Sequence, residues 1–235
     1  MASIPKLRVT SLDNIRTWNR EDTSMNWFRL SLQRNDSFAF REHPRSTEYQ
    51  CIHQELVPDM SGTVRSGARR CDTCGELIAK WEEPLTGLVV KCRRHDISVT
   101  YDGIVVATVR FKSIYERQKL LGLKFRQLPD DPSFFAVYAT RAVQFDAERR
   151  KTRFIDRCAE CGHFESVVGA TPLYLSSNSQ IGDKEFVRTN LEFGSDDEKS
   201  PVLLCGGMAA NTLSRETLNG LDLIPVNEEA EESAQ

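Results

Sequence analysis

The chain lacks any run of roughly 20 apolar residues, which is what a membrane-spanning helix needs, and its first residues lack the apolar core of a secretory signal. No membrane association is expected, and the cytoplasm is the expected compartment. Basic charge is not in excess either: 31 Lys and Arg stand against 34 Asp and Glu, giving a formal net charge of −3. No global positive field therefore recruits nucleic acid or an anionic surface, and any such partner would need a local patch. Histidine is scarce, and His43, His53, His95 and His163 fall at no recognisable partner spacing, so each is expected to be an ordinary hydrogen-bonded or solvated side chain. The chain has no G-x-x-x-x-G-K-[ST], no G-x-G-x-x-G and no H-E-x-x-H, so nucleotide binding through those loops and zincin-type hydrolysis have no sequence support. Cys205-Gly206-Gly207 could place a nucleophile on a turn, but a strand running into a glycine-rich loop ahead of a helix accounts for it, and no enzymatic activity is expected.

What is present is cysteine in pairs. Cys71-Asp-Thr-Cys74-Gly75 and Cys158-Ala-Glu-Cys161-Gly162 are two C-x-x-C-G turns. In each, one tight turn offers two thiolates, and the glycine can take the positive φ that aims both sulfurs at one ion. In a reducing compartment, two such pairs among seven cysteines argue for metal before disulfides. Cys71, Cys74, Cys158 and Cys161 are the expected ligands of one shared, closed, structural zinc site that joins the two halves. An alternative is local: Cys92-Arg-Arg-His95 is a C-x-x-H that could complete a site with Cys71 and Cys74. The second knuckle has no such downstream pair, so a local site would strand it, whereas a shared site uses every knuckle thiolate. Redox-active or unmetallated pairs are the remaining possibility. Four thiolates saturate zinc and leave no position for water.

The composition, 40% hydrophobic and 28% charged, fits a soluble globular protein long enough to bury a core. Residues 1–24 read as a flexible, polar extension, and the alternating Met25-Asn-Trp-Phe-Arg-Leu-Ser-Leu as a first strand, so that Met25 could itself be the start of translation. Little regular structure is expected from Ser37 to Gly67. After the first knuckle, Leu88-Val89-Val90 reads as a strand closing a zinc-ribbon-like hairpin. Ile104–Ala107 then reads as a buried strand, Arg110–Leu121 as a helix capped by Thr108 and ended by Gly122, and Leu123–Leu128 as a strand. Phe134–Tyr138 and Ala142–Phe145 read as two more strands, and the acidic residues 227–235 as a disordered tail.

The same unit recurs. Sliding the chain by 98 residues (220 − 122) pairs Gly122-Leu123 with Gly220-Leu221 and Ile104-Val105-Val106 with Val202-Leu203-Leu204. The knuckles pair at 87 (158 − 71), which places an 11-residue insertion between the second knuckle and its helix. The expected fold is α+β and strand-rich: one domain over residues 25–226, built of two similar halves, each a zinc knuckle, strand, helix and strand.

With these residues in view, the chain resembles the double-CxxCG motif proteins of bacteria. The paired C-x-x-C-G turns carry the resemblance, together with the aromatic-led strand from Met25 and the segment Phe186-Val-Arg188 … Phe193 … Leu203 … Gly220-Leu221 … Pro225-Val226. It spans roughly Met25 to Val226, although the N-terminal extension ahead of the first knuckle is longer than is usual in that family. The resemblance implies zinc on the four knuckle cysteines. For some members it also implies a role as immunity proteins, which neutralise a cognate toxin by protein contact. The other functional reading is a zinc-ribbon nucleic-acid-binding module using the basic run Arg149, Arg150, Lys151 and Arg153, which is diluted by Glu148, Asp156 and Glu160.

Overall fold

Apolar alternation from Trp27 builds the first strand, β1 (Trp27–Leu32), which buries Trp27 and Leu30. The computed structural model describes residues 27–40, 49–52, 55–58 and 69–226, with backbone alone for 49–52 and 55–58; the 1–24 extension, Met25 and the 227–235 tail lie outside the described residues. A short hairpin follows, β2 (Tyr49–Ile52) with β3 (Glu55–Pro58). After the first knuckle come β4 (Ile97–Val99), β5 (Val105–Thr108), α1 (Val109–Arg117), β6 (Leu123–Gln127), β7 (Phe134–Ala139) and β8 (Ala142–Val143). The helical turn α2 (Ala147–Arg150) leads to β9 (Arg153–Arg157), the second knuckle and β10 (Phe164–Val168). The chain finishes with β11 (Phe186–Ser195), β12 (Ser200–Gly206), α3 (Gly207–Arg215) and β13 (Leu221–Val226). The fold is α+β and rich in strand, as expected.

Two sheets dominate. The smaller has the order β4-β5-β7-β6, and the larger β13-β1-β12-β11-β10-β9, with β8 pairing β11 in parallel. Their inner faces share one core, in which Val105, Ala107, Val137 and Ala139 meet Leu203, Cys205, Phe186 and Leu30 under Phe111 of α1 and Leu213 of α3. Each outer face has a core of its own. Phe40, Leu77, Leu85, Leu88 and Val90 cover Val106 of the small sheet, while Phe145, Leu173 and Leu175 cover Leu204 and Val187 of the large one. Each large side chain sealed this way contributes about 1.5–3 kcal/mol.

The two halves agree down to single residues. α1 and α3 stand 98 positions apart at both ends, as do their N-caps Thr108 and Gly206 and their C-caps Gln118 and Glu216. Lys119 and Thr217 both turn left-handed (φ 52 and 45), as do Gly122 and Gly220 (φ 93 and 87). In the small sheet the middle strand is β7, with Thr108 opposite Phe134 and Leu123 opposite Ala139. In the large sheet the same place is filled from the N-terminal side by β1, with Gly206 opposite Trp27 and Leu221 opposite Leu32. The chain is therefore a duplicated unit in which one copy takes its middle strand from the far end of the sequence.

Three expectations need correction. α1 ends at Arg117, a turn before Leu121, because Leu121 leaves the helix to exchange hydrogen bonds with the segment entering β11: its amide donates to Lys184 O (2.9 Å), and Phe186 N donates to Leu121 O (2.8 Å). Leu88 and Val90 are buried and Val89 is exposed, yet the segment forms no strand. The amides of Gly87 and Val90 donate to the carboxylates of Asp130 (2.6 Å) and Asp131 (3.1 Å), so carboxylates replace a ladder partner. Unexpected strands also stand ahead of the helices: β4 in the first half, and β10 and β11 in the second. Most of the 11-residue insertion lies in the β11–β12 hairpin, since paired Ile97 and Ala107 are 10 positions apart (107 − 97) and paired Phe186 and Cys205 are 19 (205 − 186).

Candidate metal centre

Each knuckle is built by its own backbone. Gly75 N donates to Cys71 O (2.8 Å) and Cys71 N to Glu76 O (2.9 Å), closing the turn, while Gly75 takes φ 74. The second knuckle repeats this, with Gly162 N to Cys158 O (3.0 Å), Cys158 N to His163 O (2.8 Å) and φ 75 at Gly162. The flanking residues pair identically, Arg70 with Leu77 and Arg157 with Phe164. The two turns face one another. Cys71 Sγ lies 3.8 Å from Cys158 Sγ, Cys74 Sγ lies 3.6 Å from Cys161 Sγ, and all four sulfurs fall within 4.8 Å of each other. Cys71 is buried, Cys158 and Cys161 are half-buried, and Cys74 is exposed. This arrangement could hold a metal ion.

The sulfurs differ in acidity. The backbone amides of Cys161 and then Glu160 pull the Cys158 thiol down to about 7. At Cys74 the amide of Glu76 acts in the same direction but is outweighed by desolvation and the thiols of Cys158, Cys161 and Cys71, leaving it raised to about 12. Cys158 thus offers a thiolate, the form that binds metal, more readily than Cys74.

The local alternative is not assembled: among the described residues the grouped ligands are the four knuckle cysteines, and Cys92 and His95 are not among them. Cys92 is half-buried, its amide donating to Asn35 O (3.0 Å), and His95 is buried beside Gly220 with Nε2 accepting from Arg94 (3.2 Å). His163 is exposed and joins its knuckle through its carbonyl. His43 and His53 lie outside the described side chains. Cys205 is fully buried in the central core, and burial pushes its thiol up to about 12, the opposite of an activated nucleophile.

No family model matches the chain, and no curated protein matches it. The site therefore rests on its own geometry.

Several supporting residues escaped the sequence reading. Arg70 and Arg157, each immediately before the first cysteine of its knuckle, donate to the carbonyl of that knuckle's glycine (Gly75, 2.7 Å; Gly162, 3.3 Å). The repeated arginine was the available signal. Arg70 also forms a two-pronged ion pair with buried Asp197 (3.0 and 2.9 Å). Lys199 bonds Glu76 (2.8 Å), and buried Lys80 donates to the carbonyls of Asp197 and Lys199 (both 2.7 Å). Burial lowers the affinity of Lys80 for its proton. These residues tie the first knuckle to the β11–β12 turn. Glu160 accepts from Thr73 and sits 3.9 Å from Cys71 Sγ, linking the knuckles directly.

The basic run is partly engaged within the fold. Arg150 donates to Thr171 O (2.6 Å), and the Arg149 guanidinium lies 4.2 Å from the centre of the Tyr174 ring. Among the described residues no helix is long and apolar enough to cross a membrane.

Proposed function

We propose that the protein is a non-enzymatic binding protein held together by one structural zinc ion on Cys71, Cys74, Cys158 and Cys161. The reading is carried by the sulfur geometry. Four sulfurs about 2.3 Å from a common zinc sit about 3.8 Å apart along the edges of the tetrahedron, and the cross-knuckle separations are 3.8 and 3.6 Å. Soft thiolates in a tetrahedral set suit zinc, and four of them leave no position for a substrate or water. Arg70 and Arg157 would steady the two turns that hold the ion, and the ion would supply cross-linking between halves rather than chemistry.

With the metal position closed, function falls to the surface. A toxin-neutralising role fits a cytoplasmic binding protein and follows the resemblance of its paired knuckles to the double-CxxCG proteins. The test has two parts. Metal analysis of the purified protein should return one zinc per chain. Co-expression with a secreted toxin encoded beside its gene should restore growth and give a stable complex of the two proteins. A toxin that kills equally with and without this protein would remove the immunity reading while leaving the metal reading intact.

A further inference from the structure

The two halves part company at one inward-facing position. Strand β4 ends on Val99, which packs against the central core; its counterpart in β11 is Arg188, opposite core residue Leu203 and therefore on the same face of its sheet. A guanidinium has replaced an apolar side chain. Its Nη1 donates to Thr189 O (3.3 Å), and it has no ion-pair partner among the described residues.

Arg188 lines a cavity of about 310 Å³ at the seam of the two sheets, where Val105 and Leu203, equivalent residues of the two halves, meet. Trp81 and Tyr138 contribute aromatic surface. Lys124 adds a second cation, its Nζ 6.0 Å from the Tyr138 ring centre and without a carboxylate partner. The lining has one carboxylate, Glu82, and that is exposed and paired with Arg69 (3.3 Å). A half-buried guanidinium beside an apolar and aromatic wall, with the exposed Lys124 also on the lining, suits an organic anion, because such a guanidinium is stabilised by a charge-assisted, two-pronged bond to a carboxylate.

We propose that this cavity binds an organic carboxylate with a small apolar or aromatic body, the carboxylate seated on Arg188 with Lys124 beside it, and the body between Trp81 and the Val105–Leu203 seam. The carboxylate could belong to a free acid or to the C-terminus of a peptide. The site is independent of the metal centre and of the toxin reading.

Calorimetric titration and thermal melting of the whole protein with phenylacetate, phenylacetamide, N-acetylphenylalanine and N-acetylphenylalanine amide test the proposal. Saturable binding of at least one acid, with its neutral amide weaker by about tenfold or more, is expected; the tighter acid identifies the source. Arg188→Val should abolish binding while melting no lower than the parent, because the other half already carries valine there. Arg188→Gln serves the same comparison if that variant does not fold. Equal binding of acid and amide, undiminished binding by the Arg188 variants, or no saturable binding by either acid would overturn the proposal.

Discussion

The sulfur of Cys71 lies 3.8 Å from the sulfur of Cys158, 87 positions further along the chain. An ion held there would close a loop over most of the described core, so its binding energy would act as folding energy. Cys158→Ser should drop bound zinc well below one per chain and cost about 3 kcal/mol or more of stability. Cys92→Ser should change neither. Elemental analysis with denaturant melts reads both, and a loss of zinc in Cys92→Ser would restore the local site.

The place of β1 predicts that the chain tolerates rewiring. Val226 at the end of β13 is the cross-strand partner of Trp27 at the start of β1, the same antiparallel step that residues 128–133 make between β6 and β7. A permuted chain that begins at Arg69, runs to Val226, passes through a short glycine-rich loop to Trp27 and ends at residue 68 should fold and keep its zinc stoichiometry. It should melt within a few degrees of the parent. An aggregated or metal-free product would show that the repeat is only geometrical.

Gly122 and Gly220 have a steric role that Gly75 does not share. A Cβ on Gly122 would lie 2.1 Å from Phe186 O, and one on Gly220 2.4 Å from Ile97 O, at equivalent points of the two halves. Each also has positive φ, so Gly122→Ala and Gly220→Ala combine strain with collision and should each cost about 3 kcal/mol or more. Gly75→Ala meets nothing within 4 Å and should carry only the left-handed strain of about 1–2 kcal/mol. Comparable costs at all three positions, measured by urea unfolding, would contradict this.

Arg141 grips Glu185 with two bonds, 2.7 and 2.8 Å, and holds its carboxyl below the usual glutamate range. A depressed folded pKa means the stabilisation is present above the unfolded value, near 4.5, and is lost as pH falls through the folded one. With Arg141 42% exposed the pair is worth no more than about 1 kcal/mol. Glu185→Gln should lower stability by about that much at pH 7, with the gap closing on acidification. A gap unchanged well below the carboxylate range would mean that the contact is not electrostatic.

Elements with a local code were legible. Thr108 caps α1 by accepting from Phe111 N (3.3 Å), and the periodic apolar residues that follow give the helix. The knuckles were legible because C-x-x-C-G is a self-contained turn. Leu88–Val90 misled because its side chains alternate in burial as a strand's do, while nothing in an apolar run names a pairing partner, and here Asp130 and Asp131 supply the acceptors. The hairpin of β9 and β10 was missed because every residue of β9 is exposed, so no alternation marks it. Arg188 entered the sequence pattern only as part of the segment from Phe186 and gave no sign of a binding role, because its position is unusual only beside Val99 in the other half.

By itself the sequence determined the four sulfurs, the helix with its cap and the repeat, since each is written in short-range spacing or in likeness between segments. Only the tertiary structure decided that the sulfurs converge, that β1 fills the large sheet where β7 fills the small one, and that a cation without an anion faces the seam. Those are relations between residues tens to hundreds of positions apart, fixed by strand register and by the packing of two sheets on one core.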